Sequence, residues 1–179
     1  MEIIIDNEIK LKEIDIDDAN EIFDLIDNNR EYLREWLPFV DTTKKVEDTL
    51  NFIKSVRNKN FEEREITTVI IYKGQKVGVI GFRDTDKLNH RTEIGYWLAK
   101  KYQGNGIIIR SCKSLINYAF NNLNINRITI RYAVENIKSS KIPKKLNFKF
   151  EGIEREGEYI NGIYHDLNVY GLLKKEWEK

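Results

Sequence analysis

The stretch Gln103-Gly104-Asn105-Gly106 is where residue type and position first suggest chemistry. Upstream, Ile94, Tyr96 and Leu98 alternate with Glu93, Gly95 and Trp97, the signature of a strand with two different faces. Downstream, Ile108, Cys112, Leu115, Ile116, Ala119, Phe120 and Leu123 recur at the spacing of one helical stripe. The glycines therefore stand where a strand has ended and a helix begins. A helix start presents unpaired N–H groups and the positive end of the macrodipole, and glycine lets that backbone close on an anion, so the turn reads as a pyrophosphate cradle. A purely structural turn is the competing reading. A dinucleotide fingerprint would need a third glycine where Ile109 stands, and a P-loop would need Gly-Lys-Ser/Thr, which does not follow.

Two carboxylates on strand-like stretches, Glu93 and Glu158, are the candidate proton acceptors. A free glutamate has a pKa near 4.3, so either would need burial to act as an effective base. His165-Asp166 invites a dyad reading, but neighbours on a strand point to opposite faces and cannot pair simply. No Cys, His and Asp cluster has metal-ligand spacing, so no metal is expected.

Gln103-Gly104-Asn105-Gly106 following EIGYWL resembles the Gln/Arg-x-x-Gly-x-Gly/Ala acyl-CoA motif of the GNAT family of N-acetyltransferases, with Ile108 departing from the small residue that ends it. LREWLPFV, NHRTEIGYWL, ENIKSSKIPKKLNFKFEG and YINGIYHDLNVYGL look like segments of the branch that acetylates ribosomal-protein N-termini. The resemblance spans nearly the whole chain. It implies that Gln103, Gly104, Asn105, Gly106, Ile107 and Ile108 cradle the pyrophosphate of acetyl-CoA, and that main-chain groups of Trp97 and Leu98 hold pantetheine and the acetyl carbonyl. It further implies that Asn136 contacts pantetheine while Ser139, or Ser140 one place on, meets the departing thiolate; helix capping is the plainer role for the pair. Glu158 matches the family's general base, with Glu93, on the cofactor strand, the alternative. The segment with Trp36 and Phe39 reads as a hydrophobic plug under a loop or as an acceptor-binding wall, the resemblance favouring the wall, and His165 reads as acceptor-side or structural.

The implied reaction is direct acetyl transfer to a primary amine in a ternary complex. An N-terminal amine has a reference pKa of about 7.7 to 8.0 against about 10.4 for lysine, so it is partly neutral at cell pH and asks little of a base. A protein N-terminus is the expected acceptor; a small amine, such as a metabolite or antibiotic, is the alternative, and a non-catalytic acyl-CoA-binding module the third reading. A homodimer is suggested by the resemblance alone.

The chain has 179 residues, enough for one domain spanning 1–179 with a sizeable core. Its net charge of +1, from 30 basic and 29 acidic residues, gives no global field toward nucleic acid or membrane, and neither partner is expected. The single cysteine, Cys112, lies on the apolar stripe and reads as a core residue. No run approaches a membrane span and MEIIIDNEIK lacks the basic region of a signal peptide, so a cytoplasmic protein is expected.

The elements that must position these residues follow from the rest of the pattern. EIKLKEI at 8–14 suits an edge strand, and Asp17-Asp18 open a helix with Ile22, Phe23 and Ile26 on one face, ending near Asn28-Asn29. A short helix should stop at Pro38, and another should run from Thr43 to Arg57 with Thr42 or Thr43 as cap. The stretch 57–65 reads as a solvated loop. Strands at 66–72 and 76–82 are joined by Lys73-Gly74-Gln75 as a hairpin, 83–90 connects to the cofactor strand, and 127–133 is a further strand. Asn136 caps a helix that Pro143 shortens or bends, and the last two strands, 148–156 and 163–173, flank a turn at Tyr159-Ile160-Asn161-Gly162. The sum is an α+β fold, a mixed, mostly antiparallel sheet of about seven strands flanked by helices, as the GNAT resemblance also implies.

Overall fold

The computed structural model describes residues 1–57 and 66–177, so the expected loop at 57–65 lies, but for Arg57, outside the described residues. β1 (Glu2–Ile4) and β2 (Ile9–Glu13) lead through a 3-10 turn at Ile16–Asp18 into α1 (Ala19–Asp27) and α2 (Arg30–Leu33). A second 3-10 turn (Pro38–Asp41) and α3 (Val46–Arg57) precede β3 (Thr67–Tyr72), β4 (Gln75–Asp86) and β5 (Arg91–Leu98). Then come a 3-10 turn (Lys100–Tyr102), α4 (Ile107–Asn122), β6 (Arg127–Ala133), α5 (Ile137–Lys145), β7 (Lys149–Ile160), β8 (Ile163–Leu173) and α6 (Lys174–Trp177). Side by side the eight strands run β1-β2-β3-β4-β5-β6-β8-β7. All neighbours are antiparallel except β5 and β6.

The alternation along the strands gives the sheet two apolar faces, and each is covered by helices. Ile80, Phe82, Ile94 and Leu98 meet Cys112, Leu115, Ile116 and Phe120 of α4, while Val69 and Val79 meet Ile22, Ile26 and Ile53 of α1 and α3. Burial pushes the Cys112 thiol above its ordinary range, as befits a core residue. Both expected hairpins form with two-residue loops: Lys73 and Gly74 have φ of +49° and +80°, and Asn161 and Gly162 +53° and +80°, the conformation Asn-Gly favours.

The eighth strand is β1, which makes β2 an internal strand rather than the edge. Its three residues are too few for a period-2 pattern to show, and Glu2 to Ile4 pair with Lys12 to Lys10. Four other boundaries differ for local reasons. α2 ends at Leu33, and Pro38, expected to stop a short helix, instead opens the second 3-10 turn, where its fixed φ suits a first helical position. α3 starts at Val46, and Asp48, not Thr42 or Thr43, accepts the Lys44 and Lys45 N–H groups at 2.9 and 3.1 Å. β4 continues through the expected 83–90 connection to Asp86, past an irregularity where Asp84 takes φ +50°. β7 likewise runs unbroken in direction to Ile160, with an irregularity between Glu154 and Glu158 at which Asp166 accepts the Glu156 N–H at 2.8 Å. Glu158 is thus a residue within a strand, opposite His165.

Candidate active site

The parallel pair at the middle of the sheet is short. β5 follows β4 as far as Leu98 and β6 follows β8 as far as Ala133, yet β5 and β6 pair only from Arg91–Arg127 to Glu93–Thr129. Beyond those residues the two strands part. A cavity of about 450 Å³ opens there, lined by Trp97 and Leu98 of β5, the 103–108 turn, Asn136 and Ser139 at α5, and Trp36 from the segment after α2. A strand edge whose polar groups lack a strand partner can accept an extended, amide-bearing ligand in place of one.

The glycine turn closes one end of the cavity. Gly104 and Gly106 have φ of +83° and +67°, and Gly106 is the residue before the first turn of α4, with no side chain capping its N–H groups. Those groups remain available to an anion. Asn105 turns away from the cavity, its Nδ2 donating to the Tyr102 carbonyl at 3.0 Å. α4 buries Ile107, and Ile108 is only partly buried at the cavity wall, so the helical stripe starts one residue earlier than the spacing implied. A Cβ on Gly106 would meet nothing within 4 Å, so substitution there is opposed by φ rather than by space. On the cradle reading, Gly106→Val is therefore expected to reorient the turn and raise the KM for the acyl-CoA donor roughly tenfold with little change in kcat, as initial-rate measurements would show.

Across the cavity, Asn136 caps α5 by accepting the Ser139 N–H at 3.1 Å. The Ser139 hydroxyl lies 3.0 Å from the Tyr96 hydroxyl, a link between α5 and β5 where the strands have separated. The Ser140 hydroxyl instead donates to the Ile137 carbonyl at 2.8 Å. Gln103 joins the two rims: its amide donates to the Tyr32 hydroxyl, and its carbonyl is 3.3 Å from the Lys138 ammonium, itself 5.1 Å from the Tyr32 ring centroid. Lys138, Lys141 and Lys145 on the α5 wall add positive charge suited to phosphates.

The two candidate carboxylates sit in opposite circumstances. Glu93, 5% exposed at the side chain, is held by Arg83 at 2.7 Å through one oxygen and by Arg131 at 2.5 Å through the other. Arg131 goes on to Glu154 at 3.0 Å and Asp84 at 3.2 Å. Glu93 thus anchors a charge network on the sheet. Glu158 is partly buried, and burial raises its pKa above the ordinary carboxylate range; the charges of Arg83 and Arg131 pull it down and that of Glu93 pushes it up. Its cross-strand partner His165 lies 3.5 Å from Glu135, and the His165 ring meets Trp36 edge-on at 6.1 Å. Phe39 stands outside this grouping, 37% exposed on the 3-10 turn with its carbonyl accepting the Thr43 hydroxyl at 2.9 Å. The hairpin tip is tied to the same region by Asn161 Nδ2 donating to the Arg34 carbonyl at 2.9 Å.

Sequence reasoning passed over Tyr32, Tyr96 and Lys138. Tyr96 carried a signal, a hydroxyl on the inward, apolar face of its strand, which demands a partner. Among the described residues no group of three or more His, Cys, Asp or Glu side chains is placed to hold a metal ion, and no helix is long and apolar enough to cross a membrane.

Residues 8–149 match the family model described as "Acetyltransferase (GNAT) domain". Among curated proteins the chain is 38% identical over 176 residues to "Putative ribosomal N-acetyltransferase YdaF" of Bacillus subtilis (strain 168), covering 97% of this chain and 96% of that one. Among solved structures it resembles, at TM-score 0.90 and 28% identity over 94% of each chain, the microcin C7 self-immunity acetyltransferase MccE in complex with acetyl-CoA and AMP. It also resembles, at TM-score 0.88 and 26% identity over 97% of this chain and 99% of the other, an acetyltransferase of Salmonella typhimurium that modifies the N-terminal serine of the ribosomal protein L7/L12.

Proposed function

Since this chain belongs to the GNAT acetyltransferase family, we propose that it transfers acetyl from acetyl-CoA to the N-terminal α-amine of a ribosomal or similar protein, acting as one catalytic domain over residues 1–179. The observation that carries this reading is the placement of Glu158: a carboxylate with a raised pKa, opposite His165, whose ring meets Trp36 on the wall of the cofactor cavity. This placement supports a proton acceptor on the acceptor side of the cleft. The likeness to the enzyme that modifies the L7/L12 N-terminal serine supports the α-amine as acceptor.

In the ternary complex the 103–108 turn and the α5 lysines hold the cofactor's phosphates, and the unpaired edge at Trp97 and Leu98 aligns pantetheine and the acetyl carbonyl. Asn105 contributes through its main chain, because its side chain faces away. Trp36 and His165 wall the acceptor side, and Phe39 lies further out, where it contacts a longer acceptor. Glu158 takes the proton that the amine loses as the C–N bond forms, and Ser139 donates a hydrogen bond to the sulfur as the C–S bond breaks. Glu93 serves as the electrostatic partner of Arg83 and Arg131 rather than as the base, because both of its oxygens are occupied.

A small-molecule acceptor is the second reading, supported by the likeness to MccE, whose structure holds AMP beside acetyl-CoA. CoA thiol release separates the two. We expect turnover with peptides bearing free N-termini, and none with the same peptides N-blocked but containing lysine. Turnover confined to polyamines or aminoglycosides would overturn the α-amine reading. Saturable acetyl-CoA binding with no turnover on any amine would instead favour a binding module. Sedimentation of the protein tests the homodimer we propose from family likeness, and fractionation of cells tests the cytoplasmic location.

A further inference from the structure

Ser139 is pinned at two points by different elements. Asn136 fixes its main chain through the capping hydrogen bond, and Tyr96, from β5 on the other side of the cleft, reaches its hydroxyl at 3.0 Å. Serine early in a helix has a competing option, which is to turn its hydroxyl back onto a main-chain carbonyl of the preceding turn. Ser140, its immediate neighbour, has done so, spending its proton on the Ile137 carbonyl at 2.8 Å. Ser139 differs in having a phenol beside it. A phenol is a stronger acid than an alkyl alcohol, so it is the better donor of the pair, and a serine that accepts it keeps its own O–H free.

We propose that Tyr96 is a positioning residue for acetyl transfer: its O–H donates to Ser139 Oγ, holds the serine out of the back-bonded rotamer and aims the serine proton at the departing sulfur. The inference rests on the reading of Ser139 given above. As the amine nitrogen bonds to the acetyl carbon, the C–S bond breaks and its electron pair stays on sulfur. The amine proton goes to Glu158, and the thiolate accepts the Ser139 hydrogen bond. Tyr96 keeps its proton throughout, because burial holds its phenol well above the ordinary range. A donor chain of two hydroxyls polarises along its length, so the serine it feeds is a better donor than a lone one.

The experiment is a double-mutant cycle on full-length enzyme, with Y96F, S139A and the pair assayed for kcat and KM alongside their thermal midpoints. Phe keeps the ring that packs beside the core, so only the hydroxyl is removed. Y96F is expected to lower kcat roughly three- to tenfold with the acetyl-CoA KM unchanged, which is the size of one hydrogen bond. Adding Y96F to S139A is then expected to change nothing further, since the hydroxyl it positions is gone. An equal fall in both backgrounds, or a change in KM rather than kcat, would mean that Tyr96 merely supports the strand, and the inference would be overturned. A general loosening of the fold would show up as that equal fall. If S139A lowers kcat and Y96F does not, the positioning role fails and the Ser139 assignment stands. If S139A itself keeps full turnover, the assignment fails, and the positioning role with it.

Discussion

Glu158→Gln is expected to lower kcat/KM at neutral pH about a hundredfold, the low end of what a positioned general base contributes. The low end applies because an α-amine is already partly neutral near pH 7.7 to 8.0, so the base has one proton to remove late rather than a cation to neutralise first. The wild-type profile should carry the signature. Burial raises the Glu158 pKa, and a base works only when deprotonated, so activity should climb with pH through a limb lying above the ordinary carboxylate range. In the Gln variant that limb should vanish while any alkaline limb persists. Full turnover by E158Q from about pH 6 to about pH 9 would remove Glu158 from the mechanism and leave water as the acceptor.

The second large effect is predicted at Glu93, on stability first and on chemistry through Glu158. Glu93→Gln leaves Arg83 and Arg131 facing one another across β5 without the buried anion that joins them. Breaking a fully buried pair costs about 3–5 kcal/mol, but both arginines reach solvent and Arg131 keeps Glu154 and Asp84, so we expect roughly 2–3 kcal/mol. For a chain of this size that is a fall of roughly 5–10 °C in Tm, readable by calorimetry. Glu93 is also the charge that pushes the Glu158 pKa upward against Arg83 and Arg131. Its removal leaves those arginines opposed by burial alone, so the Glu158 pKa falls and the acid limb of activity moves to lower pH, with a weaker base and a lower plateau. A variant with an unchanged Tm and an unmoved limb would show that the network does neither.

These two carboxylates mark the border of what a linear reading reaches. Period 2 put Glu93 on a strand and left Glu158 just ahead of the final hairpin, but whether such a carboxylate ends up paired or poised depends on side chains far along the chain. Arg131, which claims Glu93, lies 38 residues away and on a strand that pairs in parallel. The glycine turn was readable because its cause is local: a change of period flanking two residues that must take positive φ. Asn161-Gly162 and Lys73-Gly74 were readable for the same reason. Tyr96 was visible as an inward tyrosine, yet its partner is 43 residues distant and reachable only because β5 and β6 diverge. That divergence is a property of the assembled sheet and leaves no local mark. β1 escaped notice because three residues are below the length at which alternation can be seen.

The short β5–β6 seam has a consequence for how the molecule comes apart. Five strands on one side and three on the other are joined by three residue pairs, reinforced by the Arg131–Glu93 bond across the joint. Such a sheet is two panels on a narrow rivet, and the panels are free to breathe as units. Amide hydrogen exchange should therefore report opening of the Ile94–Leu98 and Ile130–Ala133 edges at lower free energy than the paired interiors of β3 and β4. A cofactor lodged between the panels would act as a splint, slowing exchange on both edges at once. Catalysis and mechanical cohesion would then be served by the same slot, and the enzyme would be toughest when charged with its acyl donor.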